Sequence, residues 1–210
     1  MMNLSDFQAP FIPRKKIWGY ADKFRVKYWP PGKFPVDIEH IAEFELDLDI
    51  RPISGLQREC NTDALLLGDL KTIIVDTETY MNDRMENRIR YSLAHEIGHL
   101  ILHPDVYSSI AHSSIPEWIS FFQGIPDDQY TWMEQHAYEF AGRLLVSREK
   151  LIEELDKAVA LAEESGFTEW DSSGDTAREY VAHGIARTFA VSEQVISKRL
   201  LREQLFPPQK

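Results

Sequence analysis

A chain of 210 residues, 43 % hydrophobic and 27 % charged, can bury one ordinary core, and its composition excludes a disordered or low-complexity protein. Its formal charge of −11 argues against nucleic acid as the main partner, since non-specific DNA affinity comes from Lys and Arg neutralising phosphates. The single cysteine, Cys60, excludes an internal disulfide framework and a cysteine-built zinc site; with no motif around it, it reads as a lone thiol.

No apolar run is long enough to span a bilayer, and Met1 to Pro13 lack a basic start followed by an apolar stretch. The expected location is therefore the cytoplasm, with no membrane partner. In chain order, the first predicted element is a helix from about Lys16 to Tyr28, ended by Pro30-Pro31, and the second a short helix from Asp37 to Glu45 after Pro35. The period then changes. Runs beginning at Leu48, Ala64 and Thr72 are short and β-like, separated by Gly, Asn and Asp, and predict a small antiparallel three-stranded sheet. After Thr79 the chain reads as helical, with breaks near Pro104, Pro116, Pro126 and Gly174. Strands followed by a run of helices give an α+β class. Three segments are expected: an N-terminal helical segment over 1–34, a main domain over 35–170, and a C-terminal helical hairpin over 171–210 packed on it.

The chemistry concentrates in His95-Glu-Ile-Gly-His99. Residues four apart share a helix face, so His95 and His99 can aim their imidazoles at one ion, with Glu96 placed to reach a water on it. At about 100° per residue, Leu93, Ile97, Leu100 and Ile101 gather on the opposite side, ready to pack on the sheet while the histidines look into a cleft. Gly98, costly in a helix interior, leaves room for a close neighbour.

A catalytic zinc takes three protein ligands and keeps a place for water. His103 continues the row, but lies roughly 12 Å along the axis from His95; it is better suited to stand behind a ligand or line the cleft. Asp105 lies six residues after His99, where a chain reversal needs a glycine at the position of Leu102. Glu134 lies on an amphipathic helix whose apolar face is Met133, Ala137, Phe140, Ala141, Leu144 and Leu145. About 60° from the centre of that face, Glu134 has the best phase to reach a metal from the core side. A solvated carboxylate stays open as the alternative. Ala137 and Ala141 are small enough to let the two helices close on each other.

The stretch Arg90-Tyr-Ser-Leu-Ala-His-Glu-Ile-Gly-His-Leu-Ile-Leu-His103, followed by Glu134-Gln-His-Ala-Tyr-Glu-Phe-Ala-Gly-Arg-Leu-Leu145, resembles the ImmA/IrrE family of metallopeptidases. The likeness extends more loosely from Pro35 to the run Ile73-Ile-Val, and to Ala186–Val195. Tyr138 stands where the family has asparagine, and Val146-Ser147 where it has Met-Pro. Neither change removes a ligand, and both alter the wall beside the site.

The resemblance implies a zincin-like fold, Glu134 as third ligand to one Zn2+ ion, and intracellular cleavage of a helix-turn-helix repressor or antitoxin encoded nearby. On that reading Glu96 is the catalytic base. Tyr91, Tyr138, His136 and His183 are candidate oxyanion donors. Two rival readings remain. Ala182 to Leu201, with Lys198, Arg199 and Arg202, can be read as a DNA-binding helix-turn-helix. Alternatively, the chain binds metal and acts by contact, as a regulator or toxin-like partner without proteolysis.

Overall fold

The computed structural model describes residues 6–109, 115–167 and 170–208. The ends of the expected terminal segments, residues 1–5 and 209–210, lie outside them. Helix α1 (Arg14–Tyr28) starts at Pro13, whose ring presets the backbone, and ends where Trp29 turns extended ahead of Pro30. Its buried stripe is Ile17, Ala21 and Phe24, one per turn. The expected 37–45 helix forms with its side chain cap from Asp37, as α2 (Ile38–His40) continuing into a π-turn over Ile41–Glu45.

Strands β1 (Asp49–Ile53), β2 (Ala64–Leu66) and β3 (Thr72–Asp76) form one sheet in the order β1-β3-β2. The α+β class and the three strands match the sequence reading; the sheet is mixed rather than antiparallel. β2 and β3 make an antiparallel hairpin with Leu65 opposite Ile74, whereas β1 runs parallel to β3 with Ile50 opposite Ile73. The cause is a crossover. Between β1 and the hairpin lies α3 (Leu56–Cys60), bracketed by the left-handed residues Gly55 and Asn61; this connection carries the chain past the middle of the sheet to β2, which runs opposite to β1, and the hairpin then returns β3 between them, parallel to β1. β3 is central and buried on both faces. Ile73 and Val75 join the main core, while Ile74 packs with Leu56, Leu65 and Leu67 on the other side.

After α4 (Thr77–Tyr80) comes α5 (Glu86–Leu102), wedged between β2 and α8 (Asp127–Leu145). Gly98 is the point of closest approach. A Cβ there would stand 3.1 Å from Ala137 Cα and 3.2 Å from its carbonyl oxygen, so the two small residues set the helix spacing. The aliphatic side of α5 is less simple than its phase implied. Leu93 and Ile97 are fully buried, Leu100 is half-buried, and Ile101 is exposed, although Leu102 and His103 after it are buried.

Pro104 opens α6 (Pro104–Ser108), and α7 (Ile115–Gly124) precedes α8. Pro126 stands before α8, whose first turn carries Asp127 and Asp128, the sign that the helix dipole favours. Ser147 caps α9 (Arg148–Glu164). The last elements, α10 (Trp170–Phe189, with a non-helical Gly174 inside it) and α11 (Glu193–Arg202), pair as the expected hairpin. Among the described residues, no helix is long and apolar enough to cross a membrane.

Candidate metal centre

α5 and α8 bring three ligand atoms to one point. His95 Nε2 and His99 Nε2 stand 3.0 Å apart. Glu134 reaches across from α8, with Oε2 3.3 Å from His95 Nε2 and Oε1 3.2 Å from His99 Nε2. Ligands at about 2.0–2.1 Å from one tetrahedral ion stand about 3.3 Å from each other. The two histidine nitrogens stand near that spacing while each faces a different oxygen of the Glu134 carboxylate, and in the triangle of one donor atom per residue all three lie within 4.8 Å of one another; imidazole nitrogens and a carboxylate oxygen are zinc donors by type. Among the described residues these three form the group able to hold a metal ion.

Glu96 stands beside the triangle on the sheet side. Its Oε2 accepts the Leu66 backbone N–H at 2.8 Å, a donor on the outer edge of β2 that no strand pairs. Burial raises the Glu96 carboxyl to about 7, against the lowering by His95 and the Leu66 N–H. Glu134 goes the opposite way. Burial pushes it up, but the hydrogen bonds and charges of His95 and His99 outweigh that and hold it well below the usual carboxylate range. Two carboxyls in one cleft are thus pulled apart, one poised near neutrality and one fixed as an anion.

The competing third ligands do not reach the triangle. Asp105 is exposed in the first turn of α6. His103 is buried behind His99, its Nδ1 3.1 Å from His99 Nδ1 and its Nε2 3.2 Å from His136 Nδ1. Tyr138 is half-exposed at the mouth, its ring 4.4 Å from that of His95 and stacked with Tyr91. The Tyr91 hydroxyl donates to the Tyr138 carbonyl, which ties α5 to α8 at the cleft wall. His183 lies elsewhere, exposed and paired with Glu193.

The cleft has a volume of about 410 Å3, and its lining includes Tyr107, Trp118 and Tyr130, which the sequence reading did not single out. Tyr130 is one helical turn before Glu134, a spacing that could have found it; burial and the Glu134 carboxylate both push its phenol up. Tyr107 is fully buried against the His99 ring, and nothing in the local pattern signals that contact. Cys60 lies on the rim, its thiol pushed up by burial and Glu59, the wrong direction for a nucleophile.

A family model described as the IrrE N-terminal-like domain, of a peptidase family, matches residues 80–201. That span holds both motif segments and runs through α11. Comparison with curated proteins gives no significant match, and neither does comparison with solved structures.

Proposed function

This chain belongs to the peptidase family with the IrrE N-terminal-like domain, and from that premise we propose that it is a cytoplasmic zinc-dependent endopeptidase. Its proposed substrate is a helix-turn-helix repressor or antitoxin encoded nearby. The observation that carries the chemistry is the triangle of His95, His99 and Glu134 with Glu96 beside it. When bound, Zn2+ would supply Lewis acidity, lowering the pKa of a water to about 7 and polarising the scissile carbonyl.

The chain's own residues do the rest. Glu96, held by the Leu66 N–H, takes the proton of the attacking water and returns it to the leaving amine nitrogen. One carboxylate can play both parts in turn, as base to the water and acid to the amine. Tyr138 and Tyr91 border the mouth, and Tyr138 is the candidate donor to the developing oxyanion, since it stands over His95 and is open to the cleft. His136 does not fit that part: it is buried behind His103.

The DNA-binding alternative loses its residues to internal contacts. Arg199 is buried against Glu203 and over the Trp18 ring, and Arg202 pairs with Glu139. Lys198 and Arg202 are exposed on α11, Arg202 with its guanidinium engaged by Glu139.

The test is incubation of zinc-loaded protein with the repressor or antitoxin encoded beside it. Glu96→Gln should bind zinc as the parent does, yet cleave about 10²–10⁴-fold more slowly. Equal cleavage by the variant would remove Glu96 from the chemistry. Stoichiometric zinc with no cleavage by the parent would instead favour a metal-binding protein that acts by contact.

A further inference from the structure

Behind the ligand triangle runs a line of imidazoles. His99, His103 and His136 are all buried, and their ring nitrogens meet in pairs: His99 Nδ1 with His103 Nδ1 at 3.1 Å, and His103 Nε2 with His136 Nδ1 at 3.2 Å. The His103 and His136 rings are nearly parallel, 18° apart. In a neutral imidazole one nitrogen donates and the other accepts, so each shared pair must hold one proton. Only two arrangements satisfy the whole line, and they run in opposite directions.

In the first, His99 carries its proton on Nε2 and donates it toward Glu134 Oε1, 3.2 Å away. His103 then donates from Nδ1 to His99, and His136 donates from Nδ1 to His103. In the second, His99 Nε2 offers its lone pair to an ion, so its proton moves to Nδ1. That proton must be accepted by His103 Nδ1. His103 therefore carries its own on Nε2 and donates to His136.

We infer that His103 and His136 are positioning residues that hold His99 in its ligating tautomer, and that metal binding reverses the hydrogen-bond direction along the line. The inference rests on the proposed metal site but not on proteolysis. The line stays neutral throughout: His99 gives up its Nε2 proton to solvent as the ion binds, the two shared protons each cross to the facing nitrogen, and His136 takes one proton from solvent on Nε2. His95 offers the contrast, since its Nδ1 is buried without a hydrogen-bond partner among the described residues. The protein fixes one histidine of the pair from behind and leaves the other unsupported.

Two measurements on the full chain test this. Ring 15N chemical shifts should show His103 protonated on Nδ1 without metal and on Nε2 with zinc. Zinc affinity, read by competition with a chelating dye, should fall about 10–100-fold in His103→Leu. In His103→Asn, whose amide oxygen can accept at the Nδ1 position, it should stay within about threefold of the parent; that rescue separates hydrogen bonding from packing. An unchanged His103 tautomer on zinc loading would overturn the inference, as would equal losses in the Leu and Asn variants or parental affinity in His103→Leu. A parent that binds no zinc would overturn the metal reading and the inference together. Zinc binding without cleavage would remove the peptidase reading and leave the inference supported by the other two readouts.

Discussion

Two buried polar clusters lie along α8, and they are built on opposite principles. Near its C-terminus, Arg143 donates to Asp22 at 2.6 Å and to Glu203 at 3.0 Å, while Arg148 reaches Glu203 at 2.7 Å. Arg199 adds a further contact to Glu203, whose side chain is wholly buried. Three arginines share two carboxylates, so opposite charges meet directly and tie α1, α8 and α11 together. Nearer the middle, the Glu134 carboxylate faces His95 Nε2 and His99 Nε2, and a second carboxyl, Glu96, stands beside them. Without an ion, protons on the imidazole nitrogens serve that carboxylate; a cation would take their place. A buried cluster whose opposite charges meet one another holds the fold, whereas a carboxylate and two imidazoles turned to one point form a group that could hold a metal ion.

The largest effect should come from breaking the self-contained cluster. Glu203→Gln strands Arg143, Arg148 and Arg199 without their shared anion, and should cost about 3–5 kcal/mol in urea unfolding. It should leave zinc affinity per folded molecule unchanged. A loss under about 1 kcal/mol would show that the arginines find other partners.

Next comes Glu96→Gln, with the opposite sign. Because folding raises this carboxyl from 4.5 to about 7, the folded state keeps a proton that the unfolded chain releases in that window. The metal-free parent therefore loses stability as pH rises from 4.5 to about 7, a difference of about 3 kcal/mol. Glu96→Gln escapes this. It should be more stable than the metal-free parent by up to about 3 kcal/mol at pH 8 and equal to it at pH 4, as read from paired denaturant curves.

The smallest effect expected is that of Gly98→Ala, which forces a methyl against the Ala137 backbone at 3.1 Å. Destabilisation of about 1–3 kcal/mol should follow, together with weaker zinc binding, since the strain separates Glu134 from the two histidines. Unfolding and chelator competition on the same preparation would check both. Parental zinc affinity would mean that the helices shift without opening the triangle.

Much of the fold was legible because its signals are local. Pro13 and Pro30 bracket α1, Pro104 and Pro126 open helices, and three β-like runs mark three strands. The site was legible for a similar reason. Helical phase alone places His95 beside His99 and turns Glu134 toward the core, and Gly98 with Ala137 announces a close approach that the structure contains.

What escaped the sequence reading depends on partners far along the chain. Whether β1 runs with or against β3 follows from which strand takes the middle of the sheet, and the five-residue α3 in the crossover is too short to show a period. Ile101 fits the apolar stripe of α5 by angle, yet is exposed while the next residue, Leu102, is buried. The Leu66 N–H on Glu96, Tyr107 on His99 and His136 on His103 are likewise meetings of separate elements.

The sequence by itself determined the ligand types, their spacing and the helices that present them, since these follow from a 3.6-residue turn. Tertiary structure alone decided that the carboxyls of Glu96 and Glu134 part in opposite directions, and that a line of imidazoles stands behind one ligand only. Both depend on burial and on distances between elements that no local pattern encodes.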